Sequence, residues 1–172
     1  MEKEGLPILH CKNPKILLLG SLPGDKSLER KEYYSDNRNR FWKVIASLQG
    51  LEQVPSSYEE RKNLLNPVHI SLWDVYKEAF RKKNLDKDIK DATINEIVNE
   101  LQDYPQIDTI AFNGDKAAEA IPSMQEELSK KLPNRKIKYL PLPCSSGANQ
   151  KKYPTEDLIE IWKEKLSVDA NY

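Results

Sequence analysis

The sequence predicts an α/β fold: a three-layer α/β/α sandwich around a central, mainly parallel sheet of about four strands. Three observations carry that prediction. Short apolar runs occupy residues 16–19, 69–75, 107–112 and 137–140, each the length of a buried strand. Most of the intervening segments place apolar residues at i, i+3, i+4 and i+7, the stripe of an amphipathic helix. Three of the runs open into loops of glycine, serine, proline and asparagine, where a backbone can approach a ligand closely. In such sheets ligands bind beyond the carboxyl ends of the strands.

Taken in order, residues 16–19 (ILLL) form a strand that breaks at Gly20 into the loop GSLPGDKS. Two adjacent tyrosines and Asn39 follow, and Phe41, Val44, Ile45 and Leu48 then make one helical face. Residues 56–66 read as a short helix opened by a serine cap and stopped by Pro67. HISLWDV (69–75) is a strand, with Asp74 placed either to cap a following helix or to serve catalysis. Residues 81–92 alternate in charge without an apolar period and read as a solvated connection. In TINEIVNELQDY, Ile94, Ile97, Val98 and Leu101 form a helical stripe with Thr93 as cap and Pro105 as stop. Residues 107–112 form a strand ending in Asn113 and Gly114, before the short helix DKAAEAI. A charged surface helix over 123–132 ends at Pro133, and the strand at 137–140 runs into PLPCSSGANQKKYP. Thr155 caps the last helix, whose Leu158, Ile159, Trp162 and Leu166 face the core.

Composition narrows the class. With 172 residues, no repeats and no linkers, the chain is expected to form one domain, 1–172. Cys11 and Cys144 lie far apart, which suits a reducing cytoplasm better than a disulfide framework, and His10 and His69 are too few to suggest a zinc site. No metal or other cofactor is expected. No segment approaches the ~18 apolar residues of a membrane span, so a soluble, cytoplasmic monomer is expected. Lys plus Arg and Asp plus Glu each number 27. The zero net charge excludes a general polyanion-coating role but not a local cluster, which Lys26, Arg38, Arg40, Lys151 and Lys152 would supply if their loops converge.

GSLPGDKS is a near miss to the phosphate-binding loop GxxxxGK[ST], and a nucleotide-phosphate binder using residues 20–27 is one alternative. Asp25 stands where that motif needs glycine, and its carboxylate would face the phosphates. The longer segment GSLPGDKSLERKEYYSDNRNRFWKVI resembles the first motif of the uracil-DNA glycosylase superfamily, especially its hypoxanthine-DNA glycosylase (family 6) branch. HISLWDV with NLDKDI, FNGDKA and LPCSSGANQ are similar to further blocks of that branch, in the same order.

The resemblance implies an enzyme that hydrolyses the N-glycosidic bond of deaminated bases, hypoxanthine and uracil, flipped out of DNA. It implies base binding by Gly20, Ser21, Leu22, Pro23, Tyr34 and Asn113, with Tyr34 as stacking platform and Asn113 as reader of a base edge. Tyr33 reads as a packing residue. Asn39 is the implied catalytic side chain, with a cap for the Phe41 helix as the alternative or as a combined role; an Asn-Gly pair such as Asn113-Gly114, taken alone, is just as often a turn. DNA contacts fall to Lys26, Ser27, Arg38, Ser145, Ser146, Gly147, Asn149 and Lys151, and Cys144 reads as a small buried residue. Leu22 and Leu142 stand where other branches carry a water-activating Asp or Asn and a His or Asn, losses that the family 6 branch shares. Asp25 and Asp36 are alternates as general bases or loop hydrogen-bonding residues. A catalytically silent DNA-binding relative is a further alternative. The assignment requires Gly20, Asn113 and Ser145 to meet at one cleft.

Overall fold

The computed structural model describes residues 2–81 and 89–166. Strands β1 (Glu2–Glu4) and β2 (Ile16–Gly20) precede helices α1 (Asp25–Arg30), α2 (Phe41–Leu48), α3 (Tyr58–Asn63) and α4 (Leu65–Val68). Strands β3 (Ile70–Asp74), β4 (Tyr76–Arg81) and β5 (Ile89–Ile94) lead to α5 (Ile97–Asp103). Then come β6 (Thr109–Asn113), α6 (Asp115–Ala118), α7 (Ile121–Lys131), β7 (Lys138–Leu142), a 3-10 turn at Gly147–Asn149, and α8 (Thr155–Leu166).

The central sheet has the order β3-β2-β6-β7 and is parallel throughout. As an inner strand, β2 is buried at all five positions, as its unbroken apolar run requires. Successive side chains leave a strand on opposite faces, so β2 feeds two cores. Ile16 and Leu18 pack with Phe41, Val44 and Ile45 of α2 and with Leu158, Trp162 and Leu166 of α8. Leu17 and Leu19 pack with Ile97, Val98 and Leu101 of α5 and with Met124 and Leu128 of α7. Helices thus cover both faces, giving the expected three layers, with every central strand ending at the same edge.

Several local expectations are corrected. Asp74 caps no helix: after Val75 the chain passes straight into β4, which joins β1 and β5 in a second, antiparallel sheet of order β1-β4-β5. Part of the expected solvated connection is therefore strand β5, while residues 82–88 lie outside the described residues. Thr93 and Ile94 belong to β5, and Ile94 is exposed, so the α5 stripe begins at Ile97 with Glu96 at the N-cap. The helix at 56–66 is two helices. Ser57 caps α3 by accepting from Glu60 N–H, and Pro67 lies inside α4, in the first turn, where a missing N–H costs little. His69 ends α4 in a left-handed conformation, φ 57°.

Trp162 ties the outer helix layer to the site loop, since it is fully buried, meets Phe41 edge-on at 6.0 Å and donates from Nε1 to Pro143 O at 2.9 Å. Trp162→Ala is expected to lower unfolding stability by about 3–5 kcal/mol in denaturant titrations. A loss below about 1 kcal/mol would contradict this placement.

Candidate active site

The parallel strands deliver their last residues to one edge. Gly20 lies opposite Asp74 in the β2–β3 register, and Asn113 lies opposite Leu142 in the β6–β7 register. Loops 20–27, 33–40 and 143–150 rise from this edge and enclose a cavity of about 970 Å³, a size suited to a small organic ligand. Its walls include Gly20, Ser21, Leu22, Pro23, Tyr34, Asn39, Asp74, Asn113, Ser146 and Gly147.

Glycine is required at position 20 by crowding. A Cβ there would lie 2.5 Å from Asp74 Oδ1 and 3.0 Å from Tyr34 Oη. Gly147 meets the same limit from the other side, where a Cβ would stand 2.7 Å from Arg38 O. Three loops can therefore close on one another.

Tyr34 has φ 55°, a left-handed backbone that a bulky residue adopts only when its surroundings impose it. One ring face stacks on Phe41 at 4.1 Å and 23°. Tyr33 next to it is buried in the core, and its hydroxyl donates to Pro7 O at 2.7 Å. Burial first, and then the nearby Asp74 charge, push the Tyr33 phenol well above its ordinary pKa.

A chain of side-chain hydrogen bonds links the loops. Asn113 Nδ2 donates to Tyr34 Oη at 3.2 Å and to Ser145 Oγ at 2.9 Å, and Asn113 Oδ1 accepts from Ser145 N–H at 2.9 Å. Ser145 Oγ in turn donates to Asn39 Oδ1 at 2.8 Å. The same Asn39 oxygen accepts from Phe41 N–H at 2.9 Å, so Asn39 also serves the start of α2. These bonds identify which end of the Asn39 amide is oxygen. Its Nδ2 makes no hydrogen bond among the described residues.

The remaining expected residues are distributed unevenly. Ser145 is wholly buried and lies beneath the cavity wall. Ser27 lines the cavity, but its Oγ accepts from Ser35 N–H at 3.0 Å, inside the fold. Asp25 and Lys26 are exposed at the rim, in the first turn of the six-residue α1, which is no long P-loop helix. Leu22 lines the cavity while packing into the core beneath β2. Ser146 Oγ accepts from Ala148 N–H, and Asn149 Nδ2 donates to Cys144 O, so both shape the third loop. Lys151 is exposed and lies outside the cavity wall.

Asp36 accepts from Arg38 Nη2 at 2.8 Å, Arg38 Nε at 3.1 Å and Arg38 N–H at 2.9 Å. Those bonds hold its carboxyl down to about 2, so it takes up a proton poorly near neutrality. Arg40, grouped in the sequence with the DNA-facing cations, is instead buried and donates to the carbonyls of Ser145, Ser146 and Tyr153. Asp74 was singled out by sequence only as a cap or catalytic group. The structure places its buried carboxylate in the cavity wall. An acidic residue closing an apolar strand run, with no helix after it, is the signal that marks it.

The sequence matches the family described as the Uracil DNA glycosylase superfamily over residues 7–165. The chain belongs to that superfamily. This makes it a DNA glycosylase, a hydrolase of DNA repair acting on the bond between base and deoxyribose. Two curated relatives are named hypoxanthine DNA glycosylase. This glycosylase is 37% identical to the one from Methanosarcina barkeri over 125 residues, 73% of this chain and 79% of the relative. It is 34% identical to the one from Methanosarcina acetivorans over 151 residues, 88% of this chain and 90% of the relative. A solution NMR structure from Methanosarcina acetivorans, named as a candidate uracil DNA glycosylase, superposes with a TM-score of 0.78 at 31% identity, covering 97% of this chain and 99% of the other. No helix among the described residues is long and apolar enough to cross a membrane.

Two outcomes follow from this geometry. Gly20→Ala is expected to slow base excision by about tenfold or more in single-turnover assays, because the methyl displaces Asp74 or Tyr34. For Asp36, a depressed pKa in the folded state contributes stability above the unfolded carboxylate range that is lost as pH falls through about 2. Asp36→Asn should therefore melt earlier than the parent at neutral pH, with the gap closing between about pH 4 and 2. The acidic limb of the pH–rate profile should stay in place; a shift would make Asp36 the general base.

Proposed function

We propose that this glycosylase removes deaminated bases from DNA, hypoxanthine first and uracil second, as a monofunctional enzyme that leaves an abasic site. The names of the two curated relatives support hypoxanthine as a substrate. Asn39 carries the mechanistic reading. Its Oδ1 is fixed by Ser145 and Phe41, and Nδ2 remains as a positioned donor in the cavity wall.

Breaking the N-glycosidic bond develops positive charge on the sugar and negative charge on the departing base, so fixed dipoles that meet this charge lower the barrier. An amide does not take a proton from water. Asn39 therefore orients the attacking water or meets the charge of the leaving base, and of the two alternates Asp25 and Asp36, Asp25 is the one not held by Arg38 and is assigned to receive a proton at the rim. Tyr34, backed by Phe41, is the platform for the flipped base, and Asn113 holds Tyr34 and Ser145 in place beside it. Backbone groups of residues 20–23 line the base, while Lys26, Arg38, Ser146, Gly147, Asn149 and Lys151 meet the phosphates. Ser27 and Ser145 support these loops from within. Of the lysines in the wall, Lys26 is exposed at the rim and Lys116 pairs with Glu119 at 3.0 Å. In this reading water is the nucleophile, and no lyase step follows. The protein acts, in the same reading, as a monomer on DNA in the cytoplasm.

Single-turnover assays on duplexes containing inosine or deoxyuridine test this reading directly. DNA binding without abasic product from either would leave a binding relative and remove the enzyme. Asn39→Ala should slow excision about a hundredfold, roughly 2.7 kcal/mol of barrier. It should also cost about 1 kcal/mol of stability through the lost bond to Phe41 N–H. A destabilised variant with the parent's rate would reduce Asn39 to a cap. Tyr34→Phe keeps the stack on Phe41 but removes the acceptor of Asn113 Nδ2, so about 1–3 kcal/mol of stability should go while base capture is largely retained.

A further inference from the structure

Deamination changes a base in one chemically specific way. Adenine N1 and cytosine N3 carry lone pairs; hypoxanthine N1 and uracil N3 carry hydrogens, each beside a carbonyl. A pocket that selects deaminated bases needs an acceptor for that N–H. Asn113 is poorly placed to supply it, because both Nδ2 hydrogens and one Oδ1 lone pair are already used by Ser145 and Tyr34.

We propose that Asp74 determines base specificity, its carboxylate accepting the ring N–H that deamination creates. The inference rests on the preceding reading that a deaminated base is flipped into this cavity. Asp74 is the last residue of β3, 4% exposed, and it lines the cavity. The other carboxylates of the wall occupy different settings: Asp25, Asp115 and Glu119 are exposed, and Asp36 is held by Arg38. Oδ1 of Asp74 and Oη of Tyr34 both crowd the space above Gly20 Cα, at 2.5 and 3.0 Å from a Cβ position there. The carboxylate thus borders the stacking platform, where it meets the edge of a base lying on the ring.

The backbone around Asp74 is firmly held. Asn95 Nδ2 donates to Asp74 O at 2.8 Å, and Val75 N–H donates to Gly20 O at 2.7 Å. An ionised carboxylate accepts and never donates, with room for several partners. A lactam N–H satisfies it, whereas the lone pair of adenine or cytosine faces it with no hydrogen between them. Sites built around a substrate N–H reject analogues lacking it more strongly than apolar pockets reject a change of size. Selection would then lie with Asp74 and chemistry with Asn39.

The test compares duplexes carrying hypoxanthine, 1-deazahypoxanthine, in which C–H replaces N1–H, and adenine, using the parent, Asp74→Ala and Asp74→Asn under subsaturating single-turnover conditions. The parent's preference for hypoxanthine over the deaza analogue should fall about tenfold or more in Asp74→Ala. Asp74→Asn, whose amide can turn a donor toward a lone pair, should raise adenine excision relative to hypoxanthine. Equal preferences in parent and variants would overturn the role of Asp74 while leaving hypoxanthine excision standing. A parent that releases neither hypoxanthine nor uracil would overturn both readings. Should the variants fail to fold by circular dichroism, inhibition of the parent by free hypoxanthine and free 1-deazahypoxanthine decides: tighter binding of hypoxanthine by about tenfold supports the proposal, and equal binding overturns it.

Discussion

The buried guanidinium of Arg40 is the constraint on which the site depends. It sits one residue before α2 and donates to the carbonyls of Ser145 and Ser146, at 3.4 and 3.0 Å, and to that of Tyr153, while its backbone N–H donates to Ser145 O at 2.9 Å. Charge-assisted bonds of this kind are stronger than neutral ones, and the fork of donors fixes direction as well as distance. Desolvation lowers the Arg40 pKa, yet a guanidinium remains protonated under ordinary conditions. The loop after β7 has little apolar surface of its own to bury. Its conformation is set largely by being tied to the start of α2, more than 100 residues earlier in the chain.

That tie makes the neutral polar chain possible. With Ser145 fixed by Arg40, its hydroxyl lies between Asn113 and Asn39, and each amide is oriented by what the other end of the bridge requires. A network of this kind is rigid when all its members are satisfied and costly when one is missing. Tyr34 joins it through its hydroxyl, and Phe41 fixes the ring from behind. The left-handed backbone at Tyr34 is thus held from two sides. The two apolar cores on either face of β2 set the level at which these loops begin.

Much of the architecture was legible from local pattern. The run at 16–19 read as a fully buried strand, and Phe41, Val44, Ile45 and Leu48 showed a helical face that is buried as expected. The convergence of Gly20, Asn113 and the serine loop at one edge followed from the motif blocks. Features created by distant partners were not legible. The second sheet depends on Glu2–Glu4 pairing with β4, and residues 76–81 mix charged and apolar side chains without a clear signal. Asp74 was read against a helix that does not form. Arg40 looked like one more cation in a basic stretch, because burial against carbonyls from the far end of the chain leaves no mark on sequence spacing. The separate fates of Ser145 and Ser146, one under the wall and one on it, depend on backbone path in the same way.

The Arg38–Asp36 pair at the rim bears on how tightly the protein grips intact duplex. A cation that neutralises a phosphate releases condensed counterions, and the affinity then falls with salt at a logarithmic slope of about −0.9 per phosphate contacted. Arg38 brings its charge already offset by Asp36, so it adds direction to a phosphate contact with little net attraction. With a net charge of zero, the chain as a whole adds no general attraction for a polyanion. In the proposed DNA complex the Arg38–Asp36 pair therefore lowers the number of counterions that this contact releases, and with it the contact's share of the dependence on ionic strength.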